Sequence, residues 1–119
     1  MLVGMAKHYG CIDDPTVRQG LAELYTLGEI GRYSAERSKA ARAAGKDIPG
    51  IGNISKLGMS NIMRLQRDLG LQIVGAAGML HAYEGAAQKV LNEVTGNPFL
   101  TAVTTTALYA QAPPIYGGT

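Results

Sequence analysis

The sequence predicts an all-α fold: a long antiparallel helical hairpin, part of a four-helix bundle completed by oligomerisation. Three observations carry this expectation. Apolar and small residues recur at three- and four-residue spacing through two long stretches, which is the period of a helix face and not of a strand. No proline falls between Pro15 and Pro49. The two stretches are separated by Gly45 and Pro49, a helix stop followed by a residue that cannot continue one.

The elements follow in order. Residues 1–10 read as the last turns of a helix that ends at Gly10. Asp14-Pro15 is a helix start, an acidic N-cap before a proline whose missing N–H costs nothing at the first position. The first long helix is expected over 15–44, with Val17, Leu21, Leu24, Gly28, Gly31 and Ala35 as its stripe. Arg32, Arg37, Lys39, Arg42 and Lys46 crowd its second half, as the negative end of the helix dipole favours. The second long helix is expected over 50–75. Ile54, Gly58, Ile62, Leu65, Leu69 and Ile73 form one stripe, and Leu57, Met59, Met63, Leu71 and Val74 lie beside or opposite it. Apolar residues on more than one side call for more than one neighbour. A corner, Gly75-Ala76-Ala77-Gly78, comes next, then short helices over 86–94 and 98–108; Thr104, Thr105 and Thr106 are poor formers of the last. Two rods of this length cannot hide such wide stripes from each other, so missing chain or another subunit must cover the rest.

Composition narrows the function classes. Apolar residues make up 46% of the 119, which suits a folded chain, while charged residues are only 17%, so part of the surface is expected to meet a partner. The net charge of +2 disfavours nucleic-acid capture by the chain as a whole. One cysteine, Cys11, excludes a disulfide framework. No stretch reaches the ~18 apolar residues of a membrane span. The first residues lack a basic region before an apolar core, so a cytoplasmic location is expected. His8 and His81 with Asp13, Asp14 and Glu84 lack metal-ligand spacing, so no metal site is expected. Cys11 reads as an idle thiol, the basic set as a solvated face, and Met59, Met63 and Met79 as core filler.

Four segments carry a resemblance. Asp13-Asp14-Pro15-Thr16-Val17-Arg18-Gln19-Gly20-Leu21-Ala22-Glu23-Leu24-Tyr25 resembles the start of a long helix pair in the C-terminal bundle of acyl-CoA dehydrogenases. Ile54-Ser55-Lys56-Leu57 is similar to the opening of that family's next helix, and Gln72-Ile73-Val74-Gly75-Ala76-Ala77-Gly78 to its Gln-x-x-Gly-Gly-x-Gly corner. Ile115-Tyr116-Gly117-Gly118-Thr119 resembles its Tyr-Glu-Gly-Thr element, with Gly in place of Glu. The four stand in the family's order over nearly the whole chain.

The resemblance implies an FAD-dependent enzyme with an N-terminal helical domain, a middle β domain and a C-terminal four-helix bundle, assembled as dimers or tetramers. It implies α,β-dehydrogenation of an acyl-CoA thioester: a carboxylate takes the α-proton, flavin N5 takes the β-hydride, and an electron-transfer flavoprotein takes the electrons. This chain would be a partial C-terminal helical domain. Gln72, Gly75 and Ala76 would meet the adenosine side of FAD held by a neighbouring subunit, and Gly117, Gly118 and Thr119 would lie by the cofactor. No catalytic residue is expected in the chain, because Gly117 stands where much of the family has its Glu base. Other members carry the base on the first bundle helix or on a second subunit. Ala6, before Lys7-His8-Tyr9-Gly10, takes the place of an Arg that grips the FAD pyrophosphate. Tyr83-Glu84-Gly85 imitates the catalytic signature but comes too soon after the corner, so Glu84 reads as a solvated loop carboxylate. The isolated chain is therefore expected to be colourless and inactive. The alternative is a non-catalytic helical interaction or oligomerisation module.

Overall fold

A computed structural model describes residues 1–116 of the chain. It is all-helical: α1 (Leu2–His8), α2 (Pro15–Ala43), α3 (Ile51–Val74), a 3-10 turn (Gly75–Met79), α4 (Gly85–Thr95) and α5 (Leu100–Tyr109). There is no strand among the described residues.

Local chemistry sets the breaks. Asp14 caps α2, its Oδ1 accepting from the Thr16 amide at 2.7 Å and the Val17 amide at 3.3 Å, with Pro15 at the first helical position. Gly45 follows the end of α2 with φ +67, a conformation that glycine adopts without strain. The α4–α5 link is a second such stop: Gly96 has φ +63, and the Asn97 amide reaches back to the Asn92 carbonyl at 3.0 Å. The threonines of α5 do not prevent its helix. Thr106 returns its hydroxyl to the Ala102 carbonyl at 2.8 Å, and the Thr104 hydroxyl lies 2.8 Å from Nδ1 of His81.

Packing follows heptads. The line of α2 that faces α3 is Val17, Gly20, Leu24, Leu27, Gly31, Ser34, Ser38 and Ala41, alternating three- and four-residue steps as in a coiled-coil seam. A Cβ on Gly20 would lie 2.9 Å from Cδ1 of Leu69, so the helices approach closely there. The expected α2 stripe is corrected at Gly28, which is exposed and one position off the seam; Gly31 and Ala35 are exposed too, but both line the groove between α2 and α3. Gly20, Ser34 and Ser38 carry no apolar side chain that would mark them as seam positions.

α3 carries a second seam for α5. A Cβ on Gly70 would lie 3.0 Å from Cγ1 of Val103. α5 runs antiparallel to α3 from that crossing, and Pro113 and Tyr116 reach Lys56. α1 closes the base. The core is Leu2, Met5, Ala6, Val17, Leu69, Ile73, Val74, Leu100 and Val103, all at one end of the hairpin.

The other end is open on one side. An open groove of about 400 Å³ runs between α2 and α3, floored by Gly31 and Gly58 and walled by Leu27, Ile30, Ile54 and Met59. Met59 and Met79 are exposed, which corrects their reading as core filler; the corner itself is only partly open, since Ala77 packs against the core. The shape agrees. The radius of gyration is 17.0 Å, against about 13.5 Å for a compact domain of this length. The accessible surface is 7667 Å², against roughly 6,200 Å² for a compact monomer of this mass.

Candidate functional site

The corner at the end of α3 is the first candidate. α3 stops at Gly75, whose φ of +58 and ψ of −136 only glycine adopts readily. The chain then folds back so tightly that a Cβ on Gly78 would lie 2.9 Å from Cδ2 of Leu71 and 3.1 Å from Cγ2 of Val74. A side chain at Gly78 would therefore displace the Leu71 side chain. A Cβ on Gly75 would meet nothing within 4 Å. Gln72, Gly75 and Ala76 are all exposed on this outer rim.

Gln72 is held by its neighbours. Its Nε2 donates to the Thr16 hydroxyl at 2.9 Å, and that hydroxyl donates to Oδ1 of Asp14 at 2.6 Å. The chain of bonds ties the end of α3 to the N-cap of α2. The Thr16 hydroxyl, with the Thr16 and Val17 amides, holds the Asp14 carboxyl below the usual carboxylate range. The rim therefore carries one oriented amide, a fixed carboxylate and small residues that let another surface come close.

The second candidate set belongs to the C-terminal end of the sequence. Gly117, Gly118 and Thr119 are outside the described residues. Tyr116, just before them, sits at Lys56, whose Nζ donates to the Pro113 carbonyl and to the Tyr116 carbonyl at 2.8 Å. Lys56 and Gln72 are separated by sixteen helical residues, a rise of roughly 24 Å. The structure thus brings Gln72, Gly75 and Ala76 together and leaves the C-terminal segment at a different level of α3.

The remaining sequence candidates are ordinary. Ala6 is buried in the core and presents nothing to a ligand. Glu84 is exposed and precedes the first residue of α4, with no side-chain cap bond. Nε2 of His8 donates to the Gly96 carbonyl at 3.1 Å, and Sγ of Cys11 lies 3.6 Å from the Ala6 carbonyl. Among the described residues no cluster of His, Cys, Asp and Glu is placed to hold a metal ion. Arg32 pairs with Glu29 and Glu36 on the exposed face of α2. No helix among the described residues is long and apolar enough to cross a membrane.

Comparison with known proteins gives one informative relative. No protein-family model matches the chain, and no solved structure matches it. Over 78 residues, 66% of this chain, the sequence is 33% identical to the acyl-CoA dehydrogenase IpdE1 of Mycolicibacterium smegmatis. The matched stretch is 19% of that enzyme, so the chain spans about a fifth of the length of the curated relative it matches. This similarity supports a relation to the acyl-CoA dehydrogenases.

Proposed function

We propose that this chain is part of the C-terminal helical domain of an FAD-dependent acyl-CoA dehydrogenase, inactive by itself and working in the cytoplasm within a larger assembly. The observation that carries the reading is the corner after α3. Its glycine-dependent turn exposes Gln72, Gly75 and Ala76 together, and the chain resembles one stretch of a dehydrogenase.

These residues fit the edge of a bound dinucleotide. Open space above Gly75 lets a flat group approach the backbone, and the Gln72 amide is oriented by Thr16. They supply one wall and not an enclosure. Gln72, Gly75 and Ala76 would border the adenosine side of an FAD held by a neighbouring subunit, with Gly117, Gly118 and Thr119 serving a cofactor at the C-terminal segment. When bound, the flavin accepts the hydride taken from the acyl-CoA. Gly117 has no group that takes a proton, so the base that removes the α-proton comes from outside this chain. A general base contributes ~10²–10⁴ in rate, which is why the chain alone is inactive.

The open side of the hairpin supports self-association, in the simplest case a dimer that rebuilds a four-helix bundle from two hairpins. Acyl-CoA and an electron-transfer flavoprotein are the further partners of this reading. A second reading, a non-catalytic oligomerisation module, is favoured by the same apolar groove taken without the corner.

One experiment separates the two. The protein is recovered under native conditions from its source cells, and the assembly containing it is assayed for flavin absorbance and for acyl-CoA-dependent reduction of an acceptor dye. Flavin and dye reduction in the assembly, with neither in the isolated chain, are the expected result. A colourless self-associated assembly that is inert to acyl-CoA overturns the enzyme reading and leaves the module.

A further inference from the structure

We propose that Lys56 is a positioning residue that seats the C-terminal segment 112–116 on α3 and so fixes where the chain past Tyr116 leaves the bundle. Three groups converge on one ammonium. Nζ donates to the Pro113 carbonyl and to the Tyr116 carbonyl at 2.8 Å, and it lies 4.8 Å from the centroid of the Tyr116 ring. An ammonium has three donors on a flexible stem, so it can serve two carbonyls and still face a ring. Among the described residues no salt bridge involves Lys56.

The segment is shaped to be gripped. The Ile115 and Tyr116 amides both return to the Ala112 carbonyl, at 2.9 and 3.1 Å, closing a turn whose Pro113 and Tyr116 carbonyls accept from the ammonium. Pro113 is buried, but Ile115 is 81% exposed, so apolar burial does little beyond Pro113. Ties to α5 hold the segment as well: the Ala112 amide donates to the Tyr109 carbonyl at 3.0 Å, and the Tyr109 hydroxyl lies 2.6 Å from that of Tyr116. Lys56 thus links the end of the described chain directly to α3. A hydrogen bond to a charged group is worth more than a neutral one, and two of them hold this turn.

Its consequence for the cofactor rests on the proposed function: Gly117, Gly118 and Thr119 start from the point that Lys56 sets. The seat itself is read from geometry and stands without a flavin.

The test is amide hydrogen exchange on the full chain. Lys56→Met, which keeps the stem and removes the ammonium, is expected to speed exchange at the Ile115 and Tyr116 amides about tenfold, with Val103 in α5 unchanged. Lys56→Arg should restore much of the protection. Unchanged exchange in Lys56→Met overturns the assignment. Equal loosening of α3 and α5 also overturns it, because Lys56 would then serve general folding. A measurement on the unaltered chain guards against a misfolded variant: an amine-reactive ester should acylate Lys56 about tenfold more slowly than the exposed Lys39 and Lys46, since a tied ammonium must first be released. Equal labelling refutes the seat. Loss of the seat leaves the flavin reading untouched, and a flavin-free assembly leaves the seat standing.

Discussion

Gly31 and Gly58 line the same groove in the interiors of two long helices, and a Cβ on either meets nothing within 4 Å. Alanine at both positions separates what the chain needs from what an assembly needs. In a helix interior, Gly→Ala is worth about 1 kcal/mol where space is free, so Gly31→Ala with Gly58→Ala should stabilise the chain by about 2 kcal/mol. Unfolding entropy scales at about 2.1 cal/mol/K per residue, roughly 250 cal/mol/K here, so the melting temperature should rise by about 8 °C. Circular dichroism melts at low chain concentration measure this. Sedimentation reads the other half. If a second helix seats itself against these glycines, the added methyl groups overpack that contact at about 1–3 kcal/mol, a loss of roughly five- to a hundredfold in association. A flat or lowered melting temperature at low concentration would mean that the groove is already filled within the chain. A raised melting temperature with unchanged association would detach the groove from any assembly.

Two further outcomes follow from the same geometry. Leu100 is fully buried, so Leu100→Ala should cost about 3 kcal/mol and about 12 °C, whereas Ile54, 62% exposed, should tolerate alanine within about 0.5 kcal/mol in the unassociated chain; comparable losses in melts of the two variants would refute the one-ended core. Asp14 has its carboxyl held below the usual range, first by the Thr16 hydroxyl and then by the Thr16 and Val17 amides. Its stabilisation is therefore complete above the unfolded carboxylate range and is lost as pH falls through the lowered value, so stability should fall less steeply with acid in Asp14→Asn than in the unaltered chain; parallel curves would contradict the cap.

Much of the architecture was legible because local chemistry decides it. Asp14-Pro15 and Gly45 act within a few residues of themselves, and α2 starts at Pro15 and ends at Ala43. The corner was legible for the same reason, since Gly75 takes a conformation that a side chain would strain. What was hidden depends on direction. Gly20, Ser34 and Ser38 lie on the α2 seam although none is a large apolar residue, while Gly28 fits the apolar spacing and is exposed beside it. Met59 and Met79 have core chemistry and no neighbour to use it on. Lys56 carries no sign of its role in the sequence, because its partners are backbone carbonyls of Pro113 and Tyr116. Carbonyls have no sequence signature, and a basic residue on a helix is usually solvated.

The distribution of the core also bears on the association proposed for the hairpin. Val17 is the one buried residue of α2, and on α3 burial is confined to Ser60 and to positions from Leu69 onward. Past Leu27 the helical state of α2 rests mainly on terms within the helix, such as the Glu29–Arg32–Glu36 pairs, and on a seam of serine, glycine and alanine. Exposed pairs of this kind contribute little each. Helical segments without tertiary support are marginal in water. The half of the hairpin with the most uncovered apolar surface is thus also the half that the chain stabilises least. A partner that covers the groove must meet the cost of ordering it, so the measured affinity will be lower than the buried area alone suggests. The same coupling gives specificity: a surface that fits the glycine floor orders the helices, and one that does not leaves them frayed.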